Sequence, residues 1–232
     1  IEEEISQEYG NFRRRRSDKK YFFQKYKLDY AIDMRGFKDT LEDPVEKRDI
    51  RKIDILITTM DRKNCLEKLL FSIARYYPEA NIYVGDNGHW DKDYYTNLWT
   101  KLIEMGLRHR PKAYNVGFDK GLAYTRNFLV KNTPNELKLI LDDDFVFTAQ
   151  TKVGDLIKIA RSNPDIGIVG GAINQDGIRH YEGHFEIKDR TLYYWKDDQE
   201  DWQDFQGIPH RFTEIVFNFI IIKRACWEEN KW

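Results

Sequence analysis

The chain has 232 residues, of which 41% are hydrophobic and 15% aromatic; that suits one large α/β domain with a substantial core and argues against global disorder. Its formal net charge of −1 gives no bulk drive towards nucleic acid or an anionic membrane. Its two cysteines, Cys65 and Cys226, stand outside any CxxC or Cys/His cluster, and no apolar run approaches the ~20 residues that cross a bilayer, which speaks against a zinc site of ordinary spacing, a disulfide framework and a membrane span.

Residues 1–50 differ in character from the rest of the chain. "NFRRRRSDKKYFFQKYKLDYAI" interleaves basic and aromatic residues, and "KDTLEDPVEKRDIRK" is almost wholly charged. Two readings stand: a solvated helical extension, or a peripheral membrane or partner contact through Arg13 to Arg16 and the lysines after them. From Ile53 strand and helix patterns alternate. "KIDILITT" is an apolar strand, and "NCLEKLLFSIARYY" places Leu66, Leu69, Leu70 and Ile73 at helical spacing before Pro78 stops it. "ANIYVGDNG" predicts a second strand ending in an Asn87-Gly88 turn, and "YYTNLWTKLIEMG" a helix closed by Gly106. A short strand in "PKAYNVG", a helix in "KGLAYTRNFLVKN" and a strand in "ELKLIL" come next. Beyond the aspartates the pattern predicts a helix in "VGDLIKIARSN", a strand in "IGIVGG", an antiparallel hairpin around "HFEIKDRTLYYW", and an apolar run, "EIVFNFIII", of strand length.

Such alternation implies right-handed crossovers and a mostly parallel sheet flanked by helices, with the ligand crevice beyond the carboxyl ends of its strands. The polar residues fall at those ends: Thr58, Thr59, Asp61 and Arg62, then Asp86 and Asn87, then Asn115, then Asp142, Asp143 and Asp144. Three adjacent carboxylates repel one another, and two readings stand: acidic residues that cap the loop after a strand, or the seat of a divalent cation. Mg²⁺ and Mn²⁺ take oxygen ligands, usually one or two carboxylates plus substrate phosphates. Asp142 and Asp144, two apart on an extended segment, are expected on one side of it. No Gly-rich P-loop or GxGxxG comes after the first strand, which weighs against a P-loop enzyme or a dinucleotide-binding fold. His180, His184 and His210 do not share a helix, and Trp195 and Trp202 read as core or as sugar-stacking rings.

Taken in order, "ILITTMDR", "YVGDNG", "NVGFDKGLAYTRN" and "LILDDDFVFT" resemble the nucleotide-binding half of a GT-A fold glycosyltransferase of the inverting family 2. "KGLAYTRN", "DDDFVFT" and "FNFIIIKRA" are closer still to its β-1,4-N-acetylgalactosaminyltransferase branch. The resemblance covers about residues 53–232 and implies a GT-A (Rossmann-like) domain over 51–232 with a small antiparallel acceptor-side subsheet. It also implies roles. Thr58, Thr59 and Arg62 line the nucleotide and diphosphate pocket, Asp86 accepts from uracil, and Arg126 sits near base or diphosphate, with Gly121 admitting close backbone approach. Asp142 and Asp143 contact the ribose and the metal's shell, Asp142 lending a metal contact, and Asp144 is the principal ligand of Mn²⁺ or Mg²⁺. The donor is a UDP-sugar (GalNAc, or GlcNAc, Gal or Glc) and the acceptor a hydroxyl of a glycan or glycolipid. Inversion needs an acidic general base, which the family carries in a motif beyond the equivalent of Trp232. Cysteine usage points to the cytoplasm, at a membrane face, while the branch points to the Golgi lumen. A non-catalytic nucleotide-sugar or carbohydrate-binding domain and a nucleotidyltransferase are the alternatives.

Overall fold

The computed structural model describes residues 49–174, 177–179, 183–195, 202–216 and 218–232. The basic segment Arg13 to Arg16 and His180 lie outside the described residues. In chain order the main elements are β1 (Ile53–Thr59), α1 (Lys63–Tyr76), β2 (Asn81–Asp86), α2 (Lys92–Glu104), β3 (Lys112–Asn115), α3 (Leu122–Lys131) and β4 (Leu137–Asp142). Then come α4 (Val153–Ser162), β5 (Ile168–Gly170), β6 (Ile173–Asn174), β7 (Ile178–Arg179), β8 (His184–Lys188), β9 (Thr191–Trp195), β10 (Gln203–Phe205), β11 (Ile208–His210), β12 (Ile220–Lys223) and α5 (Arg224–Glu229).

The alternation within each strand decides which helices it meets. Ile53, Ile55 and Ile57 of β1, Ile82 and Val84 of β2, and Leu137, Leu139 and Leu141 of β4 join one buried cluster with α1, α2 and α4. The intervening Leu56, Tyr83 and Ile140 join a second cluster with Leu129 and Val130 of α3 and Trp227 of α5. The result is a sheet covered on both faces, as its near-continuous apolar strands require. Its order is β3-β2-β1-β4-β12-β5. β1, β2, β3 and β4 run parallel, and β12 enters antiparallel between β4 and β5. Three two-stranded antiparallel pieces, β6-β7, β8-β9 and β10-β11, complete the described strands. This is the α/β class expected for a GT-A domain, with a mostly parallel sheet and small antiparallel pieces.

Two details fix how the layers sit. A Cβ on Gly85 of β2 would stand 2.5 Å from Thr125 Cγ2, so α3 packs this closely because the strand has no side chain there. On the same side of the sheet Asp54 and Lys138, partners in the β1/β4 register, form an ion pair of 2.6 Å with both side chains fully buried. Lys138 Nζ also donates to the Thr133 carbonyl and hydroxyl, and Asp54 accepts from the backbone and side-chain amides of Asn135. The pair is fully hydrogen-bonded, as burial of both charges demands.

The run "EIVFNFIII" is only partly strand: ladder pairing begins at Ile220. The backbone hydrogen bond from Gly171 to the Phe219 carbonyl already ties down the approach to β12. The helix after β2 begins at Lys92, earlier than its apolar pattern suggests, because the Asp91 side chain caps it by accepting from Tyr94 N at 2.9 Å. Gly106, at φ +104°, comes just after its last turn.

Candidate functional site

The carboxyl ends of β1, β2 and β4 lie side by side, with Thr58 opposite both Gly85 and Asp142, and Thr59 opposite Asp86. Because neighbours on a strand point to opposite faces, these ends form two sets of contacts. On the α3 side, Arg126 donates to Asp142 Oδ1 at 2.9 Å, and Asn218 donates to Asp142 Oδ2 at 2.7 Å. Thr58 is part-buried at the adjacent register position. On the other side, the Thr59 hydroxyl donates to Asp143 Oδ2 at 2.7 Å, and the Tyr95 hydroxyl of α2 donates to Asp86 Oδ2 at 2.8 Å.

Arg62, just before α1, spans the last two aspartates. Its Nη1 lies 2.9 Å from Asp143 Oδ1 and its Nη2 lies 3.0 Å from Asp144 Oδ2. Every member of the acidic triplet therefore meets a guanidinium, Asp142 that of Arg126 from α3, and Asp143 and Asp144 sharing that of Arg62 from the end of β1, which offsets their mutual repulsion. The expected common orientation of Asp142 and Asp144 does not carry over from strand geometry. The extended segment ends at Asp142, and Asp143 and Asp144 lie in a turn. Asp143 is buried at 1% exposure, whereas the Asp144 side chain is 51% exposed.

Burial pushes the Asp143 carboxyl up to about 6; Thr59 and Arg62 pull against the rise, and the charges of Asp144 and Asp142 add to it. The folded protein then holds a proton that the unfolded chain releases near pH 4. In the metal-free protein this group's contribution to stability is present below about pH 4 and is lost as pH rises through about 6. The expected difference between wild type and Asp143→Asn across that window is on the order of 2 kcal/mol, measured as urea unfolding free energy against pH. A flat difference would show that Asp143 is ionised throughout.

Asp86 is buried, and its Oδ1 accepts the Gly88 amide at 2.8 Å, so the turn reading of Asp86-Asn87-Gly88 is realised beside any ligand role. Burial, and after it the bond to Asp86, raises the Tyr95 phenol well above its ordinary value, which keeps it a donor. Gly121 caps α3 at φ +92°, and a Cβ there would meet nothing within 4 Å, so backbone conformation asks for glycine and the space beside it is open. Arg126 is largely buried, its Nε has no hydrogen-bond acceptor among the described residues, and its guanidinium lies 5.9 Å from the Trp232 ring centroid.

Two contributors, Asn218 and Tyr95, escape a reading of the sequence alone, and a third, Asn87, is visible there only by its place at a strand end. Asn218 is a lone amide within an apolar run, which is the one signal it offers. Tyr95 reads as one more apolar position on an amphipathic helix. Asn87, buried, accepts the Lys120 amide at 2.7 Å and bonds the Thr59 and Asp119 main chain, so it pins the loop before Gly121 to the ends of β1 and β2. His184 opens β8 3.8 Å from Glu214, and His210 lies in β11; among the described residues neither belongs to a group of three or more His, Cys, Asp or Glu placed to hold a metal ion.

Among the described residues, no group of three or more His, Cys, Asp or Glu is arranged to hold a metal ion. A hard cation held by one or two carboxylates and a diphosphate needs no such group. The half-exposed oxygens of Asp144 fit that donor chemistry, and Arg62 stands where it can balance their charge.

The profile of "Glycosyl transferase family 2" matches residues 54–228. β-1,4 N-acetylgalactosaminyltransferase 1 of Mus musculus is 31% identical over 123 residues, covering 53% of this chain and 21% of the relative. β-1,4 N-acetylgalactosaminyltransferase 2 of Mus musculus is 29% identical over 186 residues, covering 78% of this chain and 33% of the relative. The chain thus spans about a fifth to a third of the length of these relatives. A solved structure of S. aureus TarS 1-349 in complex with UDP-GlcNAc aligns with a TM-score of 0.48 at 14% identity, covering 77% of this chain and 47% of that one. No helix among the described residues is long and apolar enough to cross a membrane. With the profile spanning β1 to α5, the chain belongs to glycosyl transferase family 2.

Proposed function

We propose that this chain binds a UDP-sugar through a divalent cation and serves the transfer of its sugar, with inversion, to a hydroxyl of a glycan or glycolipid. The observation that carries the reading is the meeting of Thr59, Arg62, Arg126 and Asn218 on the three aspartates at the carboxyl edge of a parallel sheet. Family membership favours transfer of a sugar over transfer of a nucleotidyl group. The named relatives favour GalNAc as the sugar, with GlcNAc, Gal or Glc as alternatives.

In this reading Asp144 is the principal ligand of Mn²⁺ or Mg²⁺, and Asp142, two residues before it at the end of β4, lends a second contact. When bound, the cation acts as a Lewis acid on the departing diphosphate. The chain's own residues do the rest. Arg62 would keep its bond to Asp143 and offer its remaining N–H groups to a phosphate were Asp144 to hold the cation. Asp142, held at both oxygens by Arg126 and Asn218, presents a fixed acceptor edge to the ribose. Asp86, held by Tyr95 and Gly88, offers its remaining lone pairs to the uracil imide, while Thr58 and Thr59 line the floor. The base that deprotonates the acceptor hydroxyl is assigned to no described residue.

Calorimetric titration tests the reading. UDP and UDP-GalNAc are expected to bind in Mn²⁺, to lose at least about 100-fold in affinity in EDTA, and to bind more tightly than GDP. Equal binding with and without metal, or no preference for uracil, would overturn it.

A further inference from the structure

Asp86 ends β2 with its side chain held at both oxygens. Oδ1 accepts the Gly88 amide at 2.8 Å, and Oδ2 accepts the Tyr95 hydroxyl at 2.8 Å. A carboxylate turns easily about its last side-chain bond, and a donor on each oxygen stops it. The Gly88 bond belongs to the local turn, whereas the Tyr95 bond comes from α2 and works only if that helix end is itself fixed. Asp91 caps the helix on Tyr94 N and is held by Lys63 Nζ at 2.7 Å, and Tyr95 N bonds back to the Asp91 carbonyl. The Tyr95 ring stacks on Trp90 at 4.8 Å and packs against Tyr94 at 5.1 Å and Trp99 at 5.4 Å. At 4% exposure it has no room to swing away. Burial also opposes ionisation of the phenol, which leaves it a donor.

We propose that Tyr95 is a positioning residue that sets base specificity: by fixing the plane of the Asp86 carboxylate, it makes the site take uracil and reject cytosine. This rests on the reading that Asp86 faces the base of the donor. A carboxylate whose two oxygens already accept a hydrogen bond each has only further acceptor lone pairs to offer a ligand. Uracil meets them with the N3–H of its imide. Cytosine, of equal size, presents a lone pair at N3, so acceptor faces acceptor. A carboxylate free to turn would relieve that clash by swinging an oxygen towards the exocyclic amine of cytosine. One held at both oxygens cannot follow. Rejection then comes from polar groups left unpaired, which discriminates more strongly than a small difference in shape. The aromatic packing around Tyr95 thus reaches the ligand through a single hydrogen bond.

Paired calorimetric titrations of UDP and CDP in Mn²⁺ test this. The two ligands share ribose and diphosphate, so their affinity ratio reads the base alone. Wild type is expected to favour UDP by at least about tenfold. Tyr95→Phe keeps the stacked ring and removes only the hydroxyl; it should bring the ratio to within about threefold, chiefly by weakening UDP, with the Mn²⁺ dependence of binding unchanged. Equal weakening of both ligands, with the ratio intact and the thermal unfolding midpoint lowered, would make Tyr95 a packing residue and overturn the proposal. Asp86→Ala separates the proposal from the reading beneath it. If Asp86→Ala keeps the wild-type ratio, Asp86 does not meet the base, and both fall together. If Asp86→Ala loses the ratio and Tyr95→Phe keeps it, the base contact stands and the role of Tyr95 alone is refuted. A wild type that binds UDP and CDP equally overturns both.

Discussion

Asp144→Ala is expected to remove the metal dependence of UDP binding: the affinity in Mn²⁺ should fall at least about 100-fold, to the level seen in EDTA. The magnitude comes from ligand chemistry. Removing a residue that merely orients a metal ligand costs about 10- to 100-fold in metal affinity, so removing the principal carboxylate costs at least the upper end. Stability should scarcely change, because Asp144 is half exposed and Arg62 keeps its contact with Asp143. The measurement is a pair of calorimetric titrations with thermal unfolding alongside. Retained Mn²⁺ dependence in Asp144→Ala would move the cation site away from the triplet.

The second large effect belongs to the opposite end of the same strands. Lys138→Met should destabilise the fold by about 3–5 kcal/mol, because it strands the fully buried Asp54 carboxylate without its cation. Burial already lowers the Lys138 ammonium below its ordinary value, and the bond to Asp54 restores part of that loss, so the pair survives through its partners. The double change Asp54→Asn with Lys138→Met removes both charges and should recover much of the loss. Urea denaturation of the two variants checks this, and a single variant no less stable than the double one would mean that water already reaches Asp54 in the wild type.

Most of the architecture was legible because it rests on periodicity. Ile53, Ile55 and Ile57 against Leu56 already stated that β1 is buried on both faces, and Leu66 to Ile73 named the face of α1. What escaped was decided by single long-range contacts. Asn218 is one polar residue among apolar ones, and only the antiparallel return of β12 shows that it meets Asp142. The pairing of Asp54 with Lys138 depends on the register of two distant strands, which no local pattern carries. The turn at Asp143 was hidden for a local reason: three identical residues give no hint of where extension stops. The candidate site fared similarly. The acidic triplet, Thr59 and Arg62 were visible as types at strand ends and Arg126 through the family resemblance, whereas the sharing of Arg62 between Asp143 and Asp144 required coordinates.

The late entry of β12 into the middle of the sheet has a consequence for synthesis on the ribosome. Asn218 and Asp142 are 76 positions apart, and the intervening chain must emerge before β4 gains its neighbour. Closing so long a loop slows folding and leaves the β4 edge open to wrong partners meanwhile. A nascent chain stalled shortly after α4 should therefore be a good client for chaperones, and one released after α5 should not.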